Sequence, residues 1–148
     1  MKKFKFWLLI FLIPIFFVSC NSTQQEEDTK SCPQCNMKVP KSNLHTSFVN
    51  INDNVNYFDD IGCMILWAKE NDIDLTKVNT KVFSNDTKRY IDAQKSYYTI
   101  GDKTPMAYGF AAYENLQENR INFNEVILRM LRGENMANRK IRKQILEK

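Results

Sequence analysis

The stretch TSFVNINDNVNYFDDIGCMILWA, residues 46–68, decides how the chain folds. Thr46–Ile51 alternates apolar and polar side chains, the period of a strand with one buried face. Asn52, Asp53 and Asn54 supply turn chemistry and Val55–Phe58 is a second short strand, so a hairpin is expected. Asp59 or Asp60 can cap a helix by accepting a free backbone N–H, and Ile61, Met64, Ile65 and Ala68 recur at helical spacing. Lys81–Ser84 reads as a third strand. These segments make a β-β-α-β unit. Phe48, Ile51, Tyr57, Phe58, Ile61, Ile65, Leu66, Val82 and Phe83 are expected to line its core.

Downstream comes a weaker echo. Arg89–Asp92 and Tyr97–Ile100 are strand-like, and Met106–Tyr113 alternates with small residues. Glu114–Glu118 can start a short helix, and Val126, Ile127, Met130 and Leu131 mark another from Phe123 onward. The expected fold is α+β: two small β-β-α-β units, the second degenerate, plus a C-terminal helix.

Upstream, the chain opens MKKFKFWLLIFLIPIFFVSC. Lys2, Lys3 and Lys5 precede an apolar run from Phe6 to Val18, which is shorter than the roughly 20 residues that span a bilayer. Residues 1–19 therefore read as a secretory signal rather than part of the fold. Phe17-Val18-Ser19-Cys20 resembles the lipobox of bacterial lipoproteins, although Phe stands where Leu is commoner. That resemblance implies that Cys20 is lipidated and becomes the first mature residue; an uncleaved N-terminal anchor is the alternative. Either way the remainder is tied to a bacterial membrane, facing the periplasm or cell exterior. Residues 20–31 are polar and read as a lipidated flexible tether, residues 32–131 as the domain, and residues 132–148 as a basic C-terminal helix.

The whole chain holds 21 Lys+Arg and 17 Asp+Glu, but three of the lysines lie in the signal, leaving 18 against 17. A mature charge of +1 gives no electrostatic basis for nucleic-acid binding. Arg129, Arg132, Arg139, Lys140, Arg142 and Lys143 read as a solvated face, with contact to anionic lipid headgroups as the alternative.

The chemistry concentrates in Cys32-Pro-Gln-Cys35-Asn-Met37. Two thiols spaced by two residues can clasp one metal ion or close a small disulfide ring. A thioether two residues on narrows the choice, because thiolate and thioether sulfurs favour copper(I). Met106, bracketed by Pro105 and Gly109, is a further soft donor or else core filler. His45, the lone histidine, is by default a surface or core residue, and Cys63 reads as a buried, inert thiol.

These motifs together resemble the NosL family, accessory lipoproteins of nitrous oxide reductase assembly. The matching parts are the lipobox, the Cys-x-x-Cys-x-Met motif at residues 32–37 and the Tyr57–Cys63 strand-to-helix junction. Val82–Asp86, Tyr90–Ala93 and Thr104–Tyr113 follow in order, so the likeness covers residues 32–113. It implies a non-enzymatic copper(I) chaperone of paired β-β-α-β units, whose partner is a recipient cuproprotein, nitrous oxide reductase or its assembly machinery. By position it assigns Cys35, Met37 and Met106 as copper ligands. Cys32, matching a cysteine that only some members carry, is a supporting donor. Asn36 stands where the family often has glycine, and asparagine also tolerates left-handed backbone. The basic C-terminal helix has no counterpart in the resemblance.

Two rival readings use the same thiols. Cys32 and Cys35 have the spacing of a thiol–disulfide oxidoreductase, but that chemistry needs a buried strand before the pair and a helix starting at it. Residues 21–31, NSTQQEEDTKS, cannot be a central strand. A structural zinc site could instead draw on Cys32, Cys35, His45 and Cys63.

Overall fold

The hairpin expected over residues 46–58 forms and becomes the centre of a sheet. The computed structural model describes residues 30–147. Strands β1 (Ser47–Ile51) and β2 (Asn54–Phe58) pair antiparallel, Ser47 opposite Phe58, around the left-handed pair Asn52 and Asp53. Helix α1 (Ile61–Glu70) crosses behind them and returns the chain to β3 (Asn79–Phe83), which pairs antiparallel with the other side of β1. Strand β4 (Tyr90–Asp92) adds to β3, giving the order β2-β1-β3-β4. A 3-10 turn (Ala93–Lys95) leads to β5 (Tyr97–Ile100) and β6 (Phe110–Tyr113), a separate two-stranded sheet. Helices α2 (Phe123–Leu131) and α3 (Arg139–Leu146) follow.

The class is α+β, and the first β-β-α-β unit stands as read. The second is incomplete: β5, β6 and α2 form, but no closing strand follows α2 among the described residues. Residues 114–118 form no helix; α2 starts at Phe123, where Asn122 caps it by accepting from the Glu125 N–H at 2.9 Å. Strand β4, which the sequence pattern groups with the second unit, belongs to the first sheet. A parallel bridge between Ser84 and Ala112 joins the two sheets.

The core differs from expectation at Phe48 and Tyr57, cross-strand partners on the sheet's other face. Val49 is buried completely, whereas Phe48 is half-buried on the opposite face. Successive strand residues point to opposite faces, and here both faces carry apolar groups. Val49 packs with Phe58, Ile61, Ile65 and Val82, while Phe48 meets Tyr57 and Tyr90 at ring separations of 5.3 and 5.0 Å.

The signal, Cys20 and the tether as far as residue 29 lie outside the described residues. The tether's last two residues are folded: Ser31 bridges Lys38, and the Val39 N–H donates to the Lys30 carbonyl at 2.8 Å. At the other end, residues 132–138 form turns rather than helix, with Asn135 and Met136 buried, before α3 begins. No helix among the described residues is long and apolar enough to cross a membrane.

Candidate metal centre

The loop carrying the two-cysteine motif is closed on itself. The Cys32 N–H donates to the Met37 carbonyl and the Asn36 N–H to the Cys32 carbonyl, each at 2.8 Å. Asn36 takes a left-handed φ of 61° to make the turn, which its short amide side chain tolerates. The Cys35 N–H points at the Cys32 sulfur and the Met37 N–H at the Cys35 sulfur. Backbone donors thus face both sulfurs, an arrangement that stabilises thiolate.

Helix α1 supplies the opposite wall. The adjacent aspartates at its start have separate jobs. Asp60 is the cap: one carboxylate oxygen accepts from the Gly62 N–H at 2.9 Å. Its other oxygen accepts from the Thr104 hydroxyl at 2.6 Å and the Met106 N–H at 3.1 Å. Asp59, fully buried, turns towards the cysteines instead and accepts from the Cys35 thiol at 3.2 Å. Cys63, one turn into the helix, points the same way.

Four ligand atoms therefore converge. The sulfurs of Cys32, Cys35 and Cys63 and a carboxylate oxygen of Asp59 all lie within 4.8 Å of one another, and these residues can hold a metal ion. Cys32, Asp59 and Cys63 are completely buried; Cys35 is partly exposed. The second Asp59 oxygen is buried without a hydrogen-bond partner among the described residues. An unpaired buried oxygen costs about 1–3 kcal/mol, a penalty that a bound cation would relieve. The donor set fits a metal on that ground as well as by composition.

The three thiols are held in different electrostatic surroundings. A hydrogen bond from Cys63, helped by the Asp59 and Cys35 N–H groups against the cost of burial, lowers Cys32 to about 6. Cys63, as the donor to Cys32, is pushed well above the ordinary thiol range, with burial and the Asp59 charge adding to the shift. Burial raises Cys35 to about 11, and the Asp59 carboxylate it donates to adds to this. A metal ion entering here displaces thiol protons.

The sequence-predicted residues fare differently. Cys32 and Cys35 are brought together as expected. Met37 lies 45% exposed on the same loop. Met106 is half-buried against the core, its amide fixed by Asp60 beside Asp59. Cys63 is no bystander thiol: it completes a three-sulfur group. His45 lies outside that group, so the Cys32–Cys35–His45–Cys63 set is corrected to one with Asp59 in the fourth place. Its Nδ1 is instead buried without a partner among the described residues. The described residues do not build the oxidoreductase frame either. No helix begins at Cys32 or Cys35, and all strand pairs inside the two sheets are antiparallel.

Asp59 is the site residue that sequence reading missed. The pair Asp59-Asp60 ahead of Gly62-Cys63 was its signal, because a helix start uses one cap and leaves the second carboxylate unexplained. Tyr108 closes this side of the helix start: a Cβ added to Gly62 would stand 2.2 Å from its ring. No family model, curated protein or solved structure matches the chain.

Proposed function

We propose that the chain is a membrane-anchored carrier of a single copper(I) ion, delivering it to an extracytoplasmic cuproprotein. The observation that carries this reading is the convergence of three sulfurs, one of them at the surface. Thiolates are soft donors that suit copper(I). Met37 and Met106 add thioethers on the two loops beside the cluster, where weak donors suit a cargo that must leave. The Cys32–Met37 motif, the Tyr57–Cys63 junction and the Thr104–Tyr113 element support a NosL-like role, with nitrous oxide reductase or its assembly machinery as the recipient. A lipid on Cys20 would hold the carrier on the outer side of a membrane.

The test is a titration of reduced chain lacking residues 1–20 with copper(I) against a competing chelator. Cys35→Ser and Cys63→Ser should each lose most of the affinity, roughly a hundredfold or more, and Met37→Leu and Met106→Leu a smaller share. Unchanged affinity in Cys35→Ser would end the carrier reading. A separate fractionation of Cys20→Ala should release soluble protein or leave unprocessed precursor.

One observation favours a second reading. Asp59 is a hard oxygen donor, and three thiolates with a carboxylate also make a closed zinc site. Zinc bound as tightly as copper(I), with unfolding on its removal, would establish a structural zinc lipoprotein instead.

A further inference from the structure

Charge is distributed very unevenly along the mature chain. Residues 139–148 carry five Lys/Arg against one Glu, whereas residues 20–138 carry thirteen against sixteen Asp/Glu. The excess sits on α3. Helix residues spaced i, i+3, i+4 and i+7 share one stripe. Arg139, Arg142, Lys143 and Leu146 have that spacing and are all exposed, Leu146 to 64%.

The opposite face of α3 fixes its orientation. Ile141 and Ile145 are half-buried and line a hollow with Arg129 and Glu134. The Ile145 side chain lies 3.6 Å from where a Cβ on Gly101 would stand. With the isoleucines against the body, the cationic stripe points away from it. No carboxylate of the described residues lies within 4.0 Å of Arg139 or Arg142, and Lys143 is 3.8 Å from Glu147.

Cations flanking an apolar side chain match the boundary between phospholipid headgroups and acyl chains. We propose that α3 is a membrane-contact helix. It lies on a bilayer containing anionic phospholipid, with Arg139, Arg142 and Lys143 against headgroup phosphates and Leu146 entering the acyl boundary. This goes beyond the metal site and rests on the reading above only for a nearby membrane. Ten residues from Cys20 to Lys30 reach at most ~35 Å, so an anchored domain stays within range of the surface.

The contact would also orient the metal centre. Met136, just before α3, donates its N–H to the Tyr108 carbonyl at 3.0 Å and packs on Gly109. Loop Thr104–Gly109, pinned to Asp60, is therefore fixed to the segment that leads into α3.

The experiment uses chain beginning at Asn21, which carries no lipid and retains the whole fold within residues 30–147. It is sedimented with vesicles of equal parts phosphatidylcholine and phosphatidylglycerol, and with phosphatidylcholine alone. Binding should favour the anionic vesicles by at least about tenfold and fall with added salt. Each charge reversal among Arg139→Glu, Arg142→Glu and Lys143→Glu should weaken it roughly fivefold. Leu146→Ser, which alters no charge and no core contact, should weaken it on its own. Copper(I) affinity should be unchanged in these variants, so failure of the metal reading would show separately. Equal partition into both vesicles, or a triple charge reversal that sediments like the parent, would overturn the proposal. So would an acidic protein partner captured through α3 by a chain that ignores anionic vesicles.

Discussion

At the scale of single residues, the centre divides labour between neighbours. Asp59→Asn keeps the shape of the side chain but removes its charge and half of its acceptor capacity. Copper(I), held by sulfur, should lose less than about tenfold in affinity, while zinc should lose more, because an oxygen donor matters more to it. Parallel competition titrations of the two metals decide this; equal losses would mean that Asp59 does not discriminate between them. Asp60→Ala tests the neighbour. It removes a buried carboxylate serving Gly62, Thr104 and Met106, and should cost about 3 kcal/mol in urea unfolding. The two thiols of the Cys32–Met37 motif were legible from spacing alone. Asp59 was not, and Cys63 entered only through the zinc alternative, because both lie more than twenty positions along the chain, and only the closure of the hairpin onto α1 brings them to the loop.

At the scale of elements, local pattern was enough where one face was apolar and failed where two were. The helix spacing of Ile61, Met64, Ile65 and Ala68 gave α1 correctly, and the Asn52–Asn54 turn gave the hairpin. In β1 both alternating sets are usable, and the aromatic character of Phe48 outweighed the smaller Val49 in a sequence reading although Val49 is the one enclosed. The pairing of β4 with β3 is a long-range choice that no local pattern encodes. The start of α1 depends on Gly62 for space rather than for backbone freedom, since any side chain there meets the Tyr108 ring. Gly62→Val should destabilise the fold by about 1–3 kcal/mol through overpacking. It should also displace Tyr108, seen as a change in tyrosine fluorescence or ring chemical shifts. A neutral substitution would mean that Tyr108 swings aside freely.

At the scale of the whole molecule, His45 ties stability to pH. It is buried at β1's approach, and burial lowers its pKa from 6.5, opposed by Asp102 and Asp60 and assisted by Lys88. The unfolded ring thus takes up its proton before the folded ring does. Stability from this group is fully present above about pH 6.5 and is lost as pH falls from there through the folded pKa. Urea midpoints measured between neutral and mildly acidic pH should show this fall, and His45→Asn should flatten it. Asparagine suits the left-handed φ of 65° found at this position and does not titrate. A slope that survives the substitution would place the titration elsewhere.

Cys35 alone among the four converging groups reaches solvent, and this has a kinetic meaning. On the proposed carrier role, an ion held at a centre with one doorway would not have to fall off into water before a recipient captures it. The incoming thiol or thioether can bond to the ion at Cys35 while Cys32 and Cys63 still hold it from behind. Transfer by that route is associative, so its observed rate rises with recipient concentration instead of levelling at the rate of spontaneous release. Stopped-flow transfer to a small thiol acceptor at increasing concentration separates the two regimes. A plateau at the spontaneous rate would mean that the doorway is too narrow for the acceptor and that the loop must open first.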